Sequence, residues 1–177
     1  MKASPEAVTL RPFEPPHLAL LARWLRAPHV APWYPQPEAN LAWAAAPPPG
    51  GAQAIIATER AEVGYLRWQR VAREALDALG LCEIPAGSLD ADILIGEHGA
   101  AGRGAGPAAL HALAASLARD PTVPLIGLTT ALANTRAQRA FERAGFRIAR
   151  QYDDGVSGVC HLMLRELRSA APPERGR

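Results

Sequence analysis

The sequence predicts a mixed α/β fold of the α+β kind, a mostly antiparallel central sheet flanked by helices. Three observations carry that prediction. Apolar residues recur with period 2 in some segments and near 3.6 in others, and the two patterns alternate along the 177 residues. Two pairs of strand-like runs, 52–58 with 63–71 and 146–151 with 159–167, are each separated by a short polar stretch, as antiparallel partners are. A further strand-like run, 89–95, passes through a glycine-rich loop into a helical segment, with no additional strand–helix–strand unit of a doubly wound sheet.

In chain order, Val8-Thr9-Leu10-Arg11 alternates as a strand and stops at Pro12, after which Leu18, Leu20, Leu21, Trp24 and Leu25 fall at helical spacing. Residues 38–46 are helix formers, ended by Pro47-Pro48-Pro49-Gly50-Gly51, which cannot continue a helix. The runs 52–58 and 63–71 flank Glu59-Arg60-Ala61-Glu62 and read as a hairpin. Residues 72–87 mix a helical turn with Pro85 and Gly87, and 89–95 is a strand ending at Gly96. A helix over 107–117 opens on Pro107, where a missing N–H costs nothing. A strand over 125–130, a helix over 134–144 closed by Gly145 and strands over 146–151 and 159–167 complete the set. One domain over 1–167 is expected, with 168–177 as a flexible tail.

An apolar fraction of 49% suffices for one sizeable core. The net charge is +2, and basic residues do not gather into a stripe interleaved with aromatics, so no nucleic-acid partner is expected. No apolar run approaches the roughly 20 residues of a membrane helix, and Met1 to Pro5 has no apolar signal core. No membrane association and a cytoplasmic location are therefore expected. Cys82 and Cys160 form no CxxC pair, and the five histidines fall at no spacing that would bring two to one ion, so no metal is expected.

The chemistry centres on Gly102-Arg103-Gly104-Ala105-Gly106. Its glycines let backbone approach a ligand closely, and the amides opening the next helix point at an anion, so a pyrophosphate fits; such a string also serves as a tight turn. It is not a Walker loop, because no Gly-Lys-Ser/Thr follows. Arg103 either adds charge beside a phosphate or is solvated.

In this context the loop resembles the Gln/Arg-x-x-Gly-x-Gly/Ala signature of the GNAT N-acetyltransferase superfamily, with Ala101 at the first, usually polar, position. A second segment, Asn134-Thr135-Arg136-Ala137-Gln138-Arg139-Ala140-Phe141-Glu142-Arg143-Ala144-Gly145-Phe146, is similar to that superfamily's Asn-x-x-Ala-x-x-x-Tyr-Glu-Lys-x-Gly-Phe segment. Val8 to Arg11, the helix ending in Trp24-Leu25, Pro28-His29-Val30, Trp33-Tyr34 and Asp92 to Gly96 resemble the aminoglycoside 6'-N-acetyltransferase branch.

The resemblance implies a sheet splayed near strand 89–96, acetyl-coenzyme A as cosubstrate and no metal. It also implies direct transfer, in a ternary complex, of acetyl to a primary amine of a small cationic acceptor, foremost the 6'-amino group of an aminoglycoside. Leu94, Ile95 and Gly96 would hold the pantetheine arm, Gly102, Arg103, Gly104, Ala105, Gly106 and Pro107 the pyrophosphate, and Asn134 and Phe141 the far side of the cofactor. Asp92 would bind the ammonium and take its proton, since an ammonium cannot attack a thioester. Phe141 stands where relatives carry a proton-donating tyrosine. A free thiol titrates near about 8.5, so a coenzyme A thiolate leaves tolerably without that help.

Trp33 and Tyr34 would wall the acceptor site or simply pack, and Asp154 would hold a cationic acceptor or serve an Asp-Gly turn. Asp90 shares a strand face with Asp92 but lies outside the matched motif. Other acceptors (a siderophore precursor, a polyamine, a protein amine) and a weakly catalytic coenzyme A-binding module are the alternatives. Monomer and homodimer both remain open.

Overall fold

The computed structural model describes residues 7–167, and the expected tail over 168–177 lies outside the described residues. The elements are β1 (Thr9–Pro12), α1 (His17–Leu25), α2 (Pro37–Ala45), β2 (Gly51–Ala57), β3 (Glu62–Arg70), α3 (Arg73–Ala78), β4 (Leu89–Ile95), α4 (Ala105–Leu117), β5 (Leu125–Ala131), α5 (Thr135–Arg143), β6 (Arg147–Asp153) and β7 (Val159–Glu166). The strands form one sheet in the order β1-β2-β3-β4-β5-β7-β6, antiparallel everywhere except between β4 and β5.

That single parallel contact positions everything else. β4 and β5 pair only at Leu89 with Ile126 and Asp90 with Gly127, and no pairing continues past Asp90. The sheet therefore opens into a slot along the rest of β4, as the resemblance implied. The other edge of β4 stays in register with β3, from Arg70 with Leu89 to Gly64 with Ile95.

Each face of the sheet has its own cover. Ala91 of β4, Ile126 and Leu128 of β5 and Met163 of β7 pack with Ala109, Leu110 and Leu113 of α4 and with Phe141 of α5. On the opposite face Ile55, Tyr65 and Leu94 pack with Leu21, Trp24 and Leu25 of α1. Farther along that face, Leu125 and Leu162 pack with Leu76, Leu81 and Ile84 in and after α3. Burial of each such side chain contributes roughly 1.5–3 kcal/mol, enough to fix the helices on both sides. Because side chains alternate along a strand, Asp90, Asp92 and Leu94 all face the α1 side.

Several boundaries differ from those the sequence predicts, most of them by one or two residues. α4 begins at Ala105 rather than Pro107, so Ala105 and Gly106 form its first turn and Pro107 is its third residue. Proline is tolerated there because the first four helical N–H groups have no internal partner. Strand β6 runs over Arg147–Asp153 and excludes Phe146, whose ring is buried in the core just ahead of it.

Candidate active site

A cavity of about 1030 Å³ runs through the slot and is lined from both faces of the sheet. Its two ends differ in chemistry.

On the α4 side, Gly102 and Gly104 have φ of 82° and 98°, the left-handed region that glycine alone enters cheaply. Gly104 is the residue before α4, and no side chain caps that helix and no acidic residue stands in its first turn. The first-turn amides and the helix dipole are thus left to an anion from outside the protein. A Cβ placed on Gly106 would meet only Ile95 Cγ1, at 3.9 Å, so the loop presents bare backbone to the cavity. The Arg136 guanidinium lies against Gly102, with Nη2 3.2 Å from where a Cβ would be, and adds a positive charge that the sequence reading did not single out. Its signal was available, as an arginine in the first turn of the helix headed by Asn134.

Asn134 precedes α5, and its Oδ1 accepts from the Ala137 amide at 3.1 Å. Its side-chain NH2 makes no bond among the described residues and faces the same cavity. Phe141 is 7% exposed and tilted against Phe146 at 6.3 Å. The Thr130 hydroxyl of β5, buried and lining the cavity, has no hydrogen-bond partner among the described residues. A glycine cradle, uncapped amides, a cation and an orphaned hydroxyl make this end suited to a long anionic cosubstrate.

In the slot, alternation turns the Ile93 and Ile95 backbone toward the missing β5 neighbour. Their carbonyls are approached by polar side chains from the segment after α1. Tyr34 Oη lies 2.9 Å from the Ile93 oxygen, and His29 Nε2 lies 3.1 Å from the Ile95 oxygen. The amides of the same two residues are left facing the slot. His29 figured in the sequence reading as part of a resemblance and as one of five scattered histidines; its hold on β4 was not foreseen.

On the α1 side the cavity is acidic and aromatic. Tyr34 donates to Asp92 Oδ1 at 2.6 Å, while Arg67 Nη2 pairs with Asp92 Oδ2 at 3.0 Å. The Arg67 guanidinium stacks over the Trp43 ring at 4.8 Å. Burial, then the Asp92 charge and the hydrogen bond to it, push the Tyr34 hydroxyl well above its ordinary value, so it stays a donor. Tyr34 is therefore not an open stacking wall: its ring packs toward the α1 core and its hydroxyl orients Asp92. Trp33, 39% exposed, does line the cavity.

Asp90 lies on the same face as Asp92 and lines the cavity, with no hydrogen-bond or ion-pair partner among the described residues. Water reaches its side chain, yet protein surrounds it. That surrounding, then the Asp92 charge, raise its carboxyl from 3.8 to about 7, with Arg67 opposing. Beyond it, Thr129 Oγ1 and Tyr152 Oη lie 2.6 Å apart.

Asp154 also borders the cavity, but its Oδ1 accepts from the Val156 and Ser157 amides at 2.9 and 2.6 Å. Its other oxygen faces Cys160 Sγ at 3.7 Å. Desolvation, then the charge of Asp154, raise the Cys160 thiol to about 11 and keep it protonated. Asp154 thus holds the turn as well as contributing charge. Arg67, Trp43 and Tyr152 were not picked out in the sequence, although Tyr65, Arg67 and Gln69 alternate as the polar face of β3. No group of three His, Cys, Asp or Glu among the described residues could hold a metal ion, and no helix among them is long and apolar enough to cross a membrane.

Comparison with known proteins agrees with this arrangement. The structure is similar to aminoglycoside acetyltransferase AAC(6')-Ib in complex with coenzyme A and kanamycin, at 26% identity and a TM-score of 0.74, covering 90% of this chain and 94% of that one. The same enzyme with ribostamycin and coenzyme A aligns at 25% identity and a TM-score of 0.75, covering 91% and 94%. An aminoglycoside N(6')acetyltransferase from Legionella pneumophila shares the fold at 13% identity, with a TM-score of 0.70 over 93% and 95%. No curated protein sequence matches significantly. The family model described as an acetyltransferase (GNAT) domain matches residues 14–154. The chain belongs to the GNAT family and is an acetyl-coenzyme A-dependent acetyltransferase.

Proposed function

We propose that this acetyltransferase acts on a primary amine of a small polycationic acceptor, foremost the 6'-amino group of an aminoglycoside. The observation that carries this reading is the polarity of the cavity. Its α4 end is basic and lined with glycine, whereas its α1 end gathers Asp90, Asp92 and Asp154, with Arg67 the opposing arginine among the described residues. A polyanionic donor and a cationic acceptor would meet through the slot without competing for either surface.

Acetyl-coenzyme A supplies the activated thioester when bound. The chain's part is to hold and orient. Uncapped amides of Gly104 to Gly106, with Arg136, would take the pyrophosphate. The amides of Ile93 and Ile95 would bind the pantetheine arm and polarise the reacting carbonyl, with Leu94 and Gly96 setting the strand's course. Asp92, fixed by Tyr34 and Arg67, would receive the acceptor's ammonium, while Trp33 and Asp154 bound the rest of it. Placement alone supplies several kcal/mol of the barrier reduction. Phe141 donates no proton, so the departing thiolate is protonated from elsewhere.

The test is thiol release from acetyl-coenzyme A with kanamycin, ribostamycin, spermidine and a lysine peptide, with NMR of any product. Turnover of the aminoglycosides at the 6'-amine is expected, and Asp92→Asn should lower their kcat/KM by at least about tenfold. Turnover confined to the peptide, or an unchanged rate for Asp92→Asn, would overturn this reading. Tight acetyl-coenzyme A binding with no turnover of any amine would instead favour a binding module, to which Ala101 and Phe141 in place of polar residues would then belong.

A further inference from the structure

The carboxylate expected to take the acceptor's proton is engaged through both of its oxygens. Asp92 accepts from Tyr34 on one oxygen and is ion-paired to Arg67 through the other. The guanidinium on that second oxygen is itself held against Trp43. Asp90, two residues earlier, points to the same side from the last paired position of β4, at the closed end of the slot. It is open to the cavity and unbonded among the described residues.

We infer that the two carboxylates divide the work: Asp92, clamped by Tyr34 and Arg67, anchors the acceptor, and Asp90 accepts the proton of its ammonium. This rests on the acetyltransferase reading above and deepens it. Bookkeeping supports the division. The ammonium gives one proton to the Asp90 carboxylate, and the neutral amine forms the N–C bond as the C–S bond breaks. The proton shed by nitrogen during addition passes to the leaving sulfur, and Asp90 then returns its own proton to water. The sum releases amide, thiol and one proton.

The groups facing Asp90 favour this. Its register partner on β3 is Gln69, and Arg67 stands one pleat along. Asp92 lies about 7 Å away along β4, by the rise of two strand residues. From β5 and β6 come Thr129 and Tyr152, bonded to each other, with Asp154 and Cys160 behind them. Leu76, Leu81 and Ile84 close that end with apolar surface. Surrounding protein and a nearby second anion raise its carboxyl to about 7, where a general base works best.

Two measurements test this. The first is the pH dependence of kcat/KM for the aminoglycoside that the wild type turns over, compared in Asp90→Asn and Asp92→Asn, with acetyl-coenzyme A binding by each variant as a control for folding. Asp90→Asn should lose about 100-fold at pH 7 and lose the acid limb near pH 7, whereas Asp92→Asn should raise the acceptor KM and keep that limb. An unchanged limb in Asp90→Asn, or its loss in Asp92→Asn alone, would overturn the division of roles. The second needs no acceptor: the carboxyl carbon of Asp90, followed by NMR in labelled wild-type protein, should titrate near pH 7. A midpoint near 4 refutes the proposal even if every acceptor fails, whereas a midpoint near 7 with no aminoglycoside turnover refutes only the choice of acceptor.

Discussion

Tyr34 shows how one side chain serves two needs. Its hydroxyl fixes Asp92 and also lies against the Ile93 carbonyl, which β5 would have satisfied had the strands stayed paired. Replacing it with phenylalanine leaves a part-buried carbonyl and a carboxylate oxygen without this donor, a cost of about 1–3 kcal/mol. Tyr34→Phe should therefore melt earlier and raise the acceptor KM, while the acetyl-coenzyme A KM stays within twofold. If steady-state kinetics show the cosubstrate KM rising instead, Tyr34 acts on the slot and not on Asp92. The residue type was legible in the sequence as an aromatic beside Trp33, but its task was not. A hydroxyl's partner 58 positions away depends on how the loop after α1 folds back over β4. For the same reason Asp90 ranked below Asp92: spacing put both on one face, but only the surroundings show which is clamped.

Among the elements, β4 was read from the sequence with the bounds the structure gives it, because a run bounded by Ser88 and Gly96 leaves little freedom. The start of α4 was less legible, since Ala105 and Gly106 look like loop until Gly104 turns left-handed and lets the helix begin. Gly96 ends β4 for a reason of packing. A Cβ there would sit 2.0 Å from Trp24 Cγ and 2.2 Å from Cδ2, inside the ring of a fully buried tryptophan. That ring is also held by its Nε1 donating to Glu97 at 2.8 Å. Gly96→Ala must push α1 away from the sheet, and we expect a loss of about 1–3 kcal/mol in denaturant unfolding. A change below 0.5 kcal/mol would mean that α1 slides freely over β4.

For the whole molecule, the raised Asp90 carboxyl links stability to pH. Its value is 3.8 ordinarily and about 7 in the fold, so between those limits the folded chain binds more protons than the unfolded one. The group's contribution therefore declines as pH rises through that window, opposite to the usual salt-bridged aspartate. Asp90→Asn removes the charge, so its melting temperature relative to wild type should climb from pH 5 to pH 8. A difference that stays flat would indicate an ordinary carboxyl. The splay was foreseen only through family resemblance, and the order of the strands was not read from the sequence at all. Nothing in the apolar pattern of β4 or β5 tells that two pairs form and the rest do not.

That divergence makes the sheet a partition with a window in it. On the proposed reading, donor and acceptor approach from opposite sides of the partition and touch only at the opening. Neither lies in the other's path, so geometry sets no order of arrival and none of departure. The acetylated product can diffuse off while spent coenzyme A still sits in its cradle, and a fresh acceptor can occupy the vacated side before the donor is exchanged. Such an enzyme is vulnerable to dead-end complexes, and acceptor excess should restrain it more than product does.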